Sequence, residues 1–305
     1  MNSGPGTLST TPHSRASTAT GAARNRRTKH LGARRRSWAV FAALIVATLL
    51  WVLPLVAIVF TALKPAADAF TSSPLSLPTH PSLNNFTQAW SQGNLGAFGL
   101  RSLVITLVKV PLGILMAAMA AFAFSRYRFR GRSAVFFFLV AGAMIPLQIA
   151  LIPLFGFMLQ IHLLNSYIGL LLVYLAFGFP IEVLLLRSFF NQIPRELDDS
   201  AHVDGLGGVG TLFRIILPLS KPILAALFIL DFVSTWNEFQ IALVLLQTRS
   251  MYTLPLGLLQ FQQGYGGQFT LMAAAVVMAS APAILVYVFL QRYFVSGLTA
   301  GAIKG

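Results

Sequence analysis

The sequence predicts an all-α protein with several membrane-spanning helices. Of its 305 residues, 56% are hydrophobic and only 10% are charged, whereas about 25% of residues are charged in an ordinary soluble domain. Six apolar runs follow one another, each close to or above the ~20 residues that cross a bilayer as a helix. Lysine and arginine are unevenly distributed between the segments that connect these runs. The predicted architecture is therefore a six-span membrane protein.

The first apolar run follows a basic segment, residues 1–37, that contains no acidic residue. Its basic residues include Arg24, Arg26, Arg27, Lys29, Arg34, Arg35 and Arg36. We expect this segment to be disordered, because it has too little apolar surface to offset the entropy of the chain. Its composition also resembles an organellar transit peptide, but a cytoplasmic tail that anchors the first span is the preferred interpretation. Residues 38–305 then form the membrane domain.

The six predicted spans are placed by their apolar runs. The first is too long for a signal-peptide core and is expected to be retained. Prolines within several spans are tolerated where neighbouring helices satisfy the freed carbonyl groups. The predicted ranges are 38–63, 103–124, 134–159, 168–189, 223–246 and 271–293.

The orientation follows from the positive-inside rule. With a cytoplasmic N-terminus, the outer segments hold only Lys64, Arg101 and Arg249. The inner segments hold the basic tail and Arg126, Arg128, Arg130, Arg132, Arg187, Arg195, Arg214, Lys221, Arg292 and Lys304. Both termini are therefore predicted to be cytoplasmic. This distribution explains the net charge of +14 without any binding of nucleic acid.

Several polar side chains lie within the predicted spans, among them Lys109, Glu182, Asp231, Asn237 and Glu238. Ionisable groups in a span are costly and usually face a cavity or a partner. Asp231, Thr235 and Glu238 share one helical face. Two interpretations stay open. These residues line a hydrophilic translocation path, or Lys109 pairs with an acid to fix the packing of the helices.

The polar segment 193–222 separates the fourth and fifth spans. Acidic residues follow Pro194, as is typical of the first turn of a helix, and glycines from Gly205 onward end that helix. The segment is predicted to be a short cytoplasmic helix and a glycine-rich turn that dock onto something outside the membrane.

This segment resembles the coupling loop of ABC-importer permeases, which reads E-A-A, three residues, G, nine residues, I-x-L-P. Asp199-Ser200-Ala201, Gly205 and Ile215 to Pro218 occupy these positions with the same spacing. Asp199 and Ser200 depart conservatively from the motif. Further resemblance lies in the segments 121–132, 144–148, 152–154, 236–239 (W-N-E-F) and 296–305. The resemblance covers about residues 38–305 and points to the second, shorter permease of maltose-type sugar importers.

The resemblance implies an assembly. A second permease would form a heterodimer with this chain in the lipid bilayer of a bacterial plasma (inner) membrane. Two copies of a cytoplasmic ABC ATPase would bind ATP and Mg, and an extracytoplasmic solute-binding protein would deliver the sugar. The residues implied in coupling to the ATPase are Glu196, Asp199, Ser200, Ala201, Asp204, Gly205, Leu217 and Pro218. A C-terminal contact is implied for Thr299, Gly301 and Lys304.

The sequence leaves two other classes of function to consider, a secondary transporter and a membrane enzyme. An ion-coupled secondary transporter would use Asp231, Glu238 and Lys109 as a relay, and it predicts internal repeats that the sequence does not display. A membrane enzyme would need a nucleophile or a metal cluster. The chain contains no cysteine and no phosphate-binding loop, nucleophile elbow or His-x-x-x-His pair. No catalytic residue, metal site or cofactor is therefore predicted in this chain.

Overall fold

The structure, a computed structural model, describes residues 17–68, 72–262 and 269–302, with side chains at 38, 40–68, 72–262 and 269–291. All regular elements in these residues are helices. Short 3-10 turns lie at Ala66–Asp68, Arg249–Met251 and Leu258–Gln262. The helices are α1 (Ser17–Leu63), α2 (Asn84–Gln92), α3 (Leu95–Arg126), α4 (Arg132–Gly142), α5 (Leu147–Gln160), α6 (Tyr167–Phe190), α7 (Glu196–Val203), α8 (Gly208–Leu219, with a π-helical turn at Leu212–Ile216), α9 (Lys221–Trp236), α10 (Gln240–Leu245), α11 (Leu254–Gly257) and α12 (Phe269–Ala302).

Four helical segments are long and apolar enough to cross a membrane: Val40–Leu63, Leu95–Arg126, Tyr167–Phe190 and Phe269–Gln291. Two bent pairs, α4 with α5 and α8 with α9, bring the number to six if each pair is one span. The all-α polytopic fold class is thereby confirmed.

The third predicted span is a broken helix, which corrects the continuous span expected over 134–159. The axes of α4 and α5 meet at 98°. Pro146 precedes α5 in an extended conformation, with φ −62° and ψ 129°. Because proline lacks an N–H and disfavours the α conformation of the residue before it, the helix stops at this point.

The fifth predicted span is shorter than expected. The apolar run over 223–246 predicted one helix, but α9 ends at Trp236 and α10 begins at Gln240. The side chain of Glu238 accepts hydrogen bonds from the first free amides of α10. A side chain that binds nearby backbone in this way competes with continuation of the helix.

The chain forms two compact units, Met1–Ala57 and Ile58–Gly305. In the first unit, α1 spans Ser17–Leu63; the disorder expected over residues 1–37 stays a prediction. Residues 1–16 lie outside the described residues.

The core of the second unit is built on α3, α6 and α9. Helix α3 packs along α6, and α9 packs against α3 and α12. Ala117, Ala118 and Ala121 of α3 are fully buried, and such small side chains let membrane helices approach closely. Trp236 at the end of α9 donates a hydrogen bond to Ala279 O at 2.9 Å. That carbonyl is next to Met278 O, which loses its helical donor because Pro282 has no N–H.

Candidate functional site

The predicted coupling segment contains the short helix that its motif indicates. Helix α7 spans Glu196–Val203, with Glu196, Asp198 and Asp199 in its first turn. Negative side chains at this end are favoured by the helix dipole. Pro194 lies two residues before the helix, since Arg195 occupies the N-cap position.

The end of α7 depends on Gly205. Its φ is +78°, a left-handed conformation that glycine adopts without steric cost. The N–H of Gly205 donates to His202 O at 3.0 Å, and the N–H of Leu206 donates to Ala201 O at 2.8 Å. These two bonds form a Schellman motif, which satisfies the last carbonyls of the helix. The motif fixes the direction in which the chain leaves α7.

Helix α7 is tied to the end of α3 by two arginines. Arg126 Nε of α3 lies 2.8 Å from Asp198 Oδ2, and its Nη2 donates to Ile193 O at 3.1 Å. Arg195 Nη2 donates in turn to Ser125 O at 3.2 Å. Burial raises the pKa of the Asp198 carboxyl, although the Arg126 and Arg195 guanidiniums oppose that shift. Neither Asp198 nor Arg126 was predicted to belong to the site, because residues 72 positions apart give no local signal.

Most of the predicted coupling residues are exposed. Ala201 is the one buried residue of α7, with 1% of its surface exposed. Val203, at the tip of the helix, is 89% exposed. On α8, Leu217 is half-buried and Pro218 is exposed. The remaining predicted residues, all exposed, are Glu196, Asp199, Ser200, Asp204 and Gly205. The helix thus presents a largely acidic surface with an apolar tip.

The predicted C-terminal contact lies largely outside what the structure describes. Thr299 and Gly301 belong to the backbone of α12, but their side chains are outside the described residues. Lys304 lies outside them altogether.

A second polar region lies within the spans, where Lys109 joins three helices. Its Nζ on α3 lies 3.1 Å from Glu182 Oε1 of α6 and also contacts Asp231 Oδ1 of α9. The side chains are 2%, 5% and 11% exposed, respectively. We call Lys109, Glu182 and Asp231 the charge cluster. Its geometry is that of the ion-pair alternative, with both acids sharing the one lysine.

Two glycines make room for the charge cluster. A Cβ atom at Gly178 would lie 2.7 Å from Lys109 Nζ and 2.9 Å from Glu182 Oε1. A Cβ at Gly113 would lie 3.1 Å from Glu182 Oε2. Any larger side chain at Gly178 would therefore displace the paired groups.

Glu238 has a different environment from the charge cluster. Its Oε2 accepts a hydrogen bond from Tyr174 Oη at 2.6 Å and another from Ala242 N at 3.1 Å. Its Oε1 accepts from Ile241 N at 2.7 Å. Because two of these three donors are amides of α10, the Glu238 side chain caps that helix. Tyr174 was not predicted, because only the tertiary fold brings it to Glu238.

A cavity of about 180 Å³ adjoins both features. Its lining includes Lys109, Tyr174, Asp231, Thr235 and Glu238. Asp231, Thr235 and Glu238, which the sequence places on one helical face, do meet along this cavity. Glu182 and Asn237 do not line it. The Asn237 side chain is exposed and donates to Val233 O at 2.8 Å.

Comparison with known families identifies the protein class. The model of the family described as "Binding-protein-dependent transport system inner membrane component" matches residues 109–300. The chain belongs to this family. It is a multi-pass inner membrane permease of the ABC type, as the resemblance of the coupling segment predicted.

Relatives match this permease over most of their length. The arabinooligosaccharides transport system permease protein AraQ of Bacillus subtilis is 33% identical over 262 residues, covering 85% of this chain and 92% of the relative. The sulfoquinovosyl glycerol transport system permease protein SmoH of Agrobacterium fabrum is 36% identical over 253 residues, covering 83% and 88%. These proteins are transport components rather than enzymes, and they do not favour the secondary-transporter alternative.

A solved structure shares the fold. A chain of a bacterial ABC transporter involved in the import of the acidic polysaccharide alginate superposes with a TM-score of 0.74 at 23% identity. The match covers 85% of this permease and 97% of that chain. At this identity, the likeness concerns the fold alone.

Proposed function

We propose that this permease is one of two membrane subunits of an ATP-driven sugar importer. The observation that carries the proposal is α7, an exposed acidic helix that ends at Gly205 and is clamped to α3 by Arg126. When a bound partner displaces a helix held in this way, the displacement is transmitted to a membrane span. The named substrates of the relatives, which include arabinooligosaccharides and melibiose, raffinose and stachyose, support a sugar as cargo.

The proposed assembly has four kinds of component. A second permease pairs with this chain, two copies of an ABC ATPase bind the two coupling segments, and a solute-binding protein delivers the sugar. ATP and Mg belong to the ATPase subunits, so this chain performs no catalysis. Both termini and α7 face the cytoplasm, as the distribution of arginine and lysine favours.

We assign the cavity beside the charge cluster to the translocation path. Its volume of about 180 Å³ is below the ~300–1,000 Å³ typical of small-molecule sites, so the second permease would supply the opposite wall. Asp231 Oδ2 accepts no hydrogen bond among the described residues and is the group best suited to accept one from a sugar hydroxyl. Lys109 and Glu182 hold the helices that form the wall, Glu238 caps α10, and Asn237 lies beside that cap.

The test compares two glycines of the same turn. Gly205→Asp places a side chain at φ +78°, a backbone conformation that L-residues rarely adopt, so the substitution is strained. Gly207→Asp adds the same charge at φ −74°, where the added Cβ meets open space. Each variant is purified from its native membrane in mild detergent, and the co-purifying chains and their ATPase activity are measured. We expect Gly205→Asp to lose the ATPase and Gly207→Asp to retain it. Retention of the ATPase by both variants would contradict the proposal.

A further inference from the structure

Four arginines form a cationic surface at the same end of the molecule as α7. Arg128 and Arg130 are exposed in the loop after α3, Arg132 begins α4, and Arg187 lies one turn before the end of α6. None of the four forms a salt bridge within the described part of the chain. We call these residues the arginine cluster.

Arg132 and Arg187 lie on facing helices. The guanidinium of Arg187 stacks over the ring of Phe136, with its Cζ 3.8 Å from the ring centroid. Arg132 lies four residues before Phe136 on α4, so the two share a face of that helix. The Nε of Arg187 is buried and has no hydrogen-bond partner among the described groups. Arg132 Nη1 donates to Tyr127 O at 3.3 Å, but neither guanidinium pairs with an acid among the described residues. The two neighbouring cations are therefore suited to bind an anion.

An apolar cavity of about 430 Å³ lies deeper along the same helices. Its lining residues come from α4, α5, α6 and the turn between α4 and α5, and they include Val135, Leu139, Ala150, Ala176, Phe177 and Pro180. Pro180 lies seven residues from Arg187 on α6, which corresponds to ~10 Å along a helix. The groove between α4 and α6 is therefore cationic at its end and apolar beyond it.

We propose that this groove binds one anionic phospholipid. Its phosphate accepts hydrogen bonds from Arg132 and Arg187, and one acyl chain occupies the apolar cavity. Arg128 and Arg130 extend the positive surface in the plane of the headgroups, where Tyr127 and Phe129 are also about half exposed. Basic pockets between membrane helices bind lipid headgroups in this way, and guanidinium groups match the geometry of a phosphate. The inference rests on the membrane location of the family and is independent of the sugar proposal.

The experiment is native mass spectrometry of the full-length chain in mild detergent. The chain is titrated with phosphatidylglycerol or with phosphatidylcholine carrying the same acyl chains. We expect phosphatidylglycerol to bind more tightly. The double variant Arg132→Gln, Arg187→Gln should weaken its binding about 30-fold, since each basic residue near the membrane surface contributes about 1 kcal/mol. Arg214→Gln with Lys221→Gln removes the same charge from exposed positions elsewhere and should leave binding unchanged.

A third variant tests the apolar half of the site without altering charge. Ala176 is exposed and lines the cavity, so Ala176→Trp fills the cavity with little risk to folding. It should weaken the binding of phosphatidylglycerol and of phosphatidylcholine by the same factor. Equal affinity for both lipids in the unaltered chain would overturn the proposal. An equal loss of phosphatidylglycerol binding in the two double variants would also overturn it. So would unchanged lipid binding by Ala176→Trp. Release of the lipid when a second permease co-purifies would assign the groove to that subunit and also overturn it.

Discussion

Arg126, the last residue of α3, forms an ion pair with Asp198 in the first turn of α7, with Nε and Oδ2 2.8 Å apart. The two side chains are only 7% and 15% exposed. The pair thus connects the predicted coupling helix directly to a membrane span. In the proposed importer, this connection lets a displacement of α7 by an ATPase reach α3.

The roles of Asp198 and its neighbour Asp199 can be separated by the same substitution at each position. Asp198→Asn leaves Arg126 without its counter-ion, so we expect a loss of stability of about 1–3 kcal/mol and a lower Tm in detergent. Asp199→Asn changes an exposed side chain and should leave the Tm unchanged while it weakens binding of the ATPase. Thermal unfolding and co-purification measure the two effects. An unchanged Tm for Asp198→Asn would mean that the ion pair does not hold α7.

The charge cluster predicts a strong loss of folded protein when Lys109 alone is replaced, and a recovery when all three charges are removed. Lys109→Met leaves two buried carboxylates without a cation, and breaking a buried pair typically costs about 3–5 kcal/mol. The triple variant Lys109→Met, Glu182→Gln, Asp231→Asn removes every charge and should recover most of the folded yield. Size-exclusion chromatography of the solubilised protein measures that yield. Normal folding of Lys109→Met alone would contradict the assigned packing role.

Glu238 is expected to act as a helix cap. Glu238→Gln retains one acceptor oxygen but loses the charge and one capping bond, so we expect a destabilisation of about 1–2 kcal/mol. Tyr174→Phe removes one donor and should cost about 1 kcal/mol. Because both changes affect one interaction, the double variant should lose less than the sum of the single losses. Fully additive losses of Tm would show that the Tyr174–Glu238 hydrogen bond contributes nothing.

The spans were predictable because a bilayer is crossed by long apolar helices, and such helices are recognisable as long apolar runs in the sequence. The breaks were not predicted, since a hydropathy average over ~20 residues does not register a single Pro146 or Glu238. At each break, regular backbone hydrogen bonds are missing. Pro146 has no N–H to donate, and the Glu238 carboxylate accepts from amides that would otherwise bond to backbone carbonyls. Their positions therefore depend on individual residues rather than on the apolar pattern.

The candidate site was predictable where its geometry is local. The spacing of the motif places α7 and the turn at Gly205 correctly, because a helix and its cap are determined within about ten residues. The partners of α7 and Glu238, namely Arg126 and Tyr174, come from distant parts of the chain. For Lys109, the sequence indicated that a buried cation needs an acid. Only the packing of α3, α6 and α9 reveals that Lys109 pairs with two acids, Glu182 and Asp231.

The most direct test of the central claim is a cross-link from the tip of α7. The chain has no cysteine, so Val203→Cys, at a position that is 89% exposed, introduces a single site for a photoactivatable maleimide. Leu77→Cys, at a position 74% exposed in the predicted outer loop, is the matched control. Illumination in native membranes should join the residue 203 variant, but not the residue 77 variant, to an ATPase subunit identified by mass spectrometry. If residue 203 captures no ATPase, or residue 77 captures it equally, α7 is not the coupling helix.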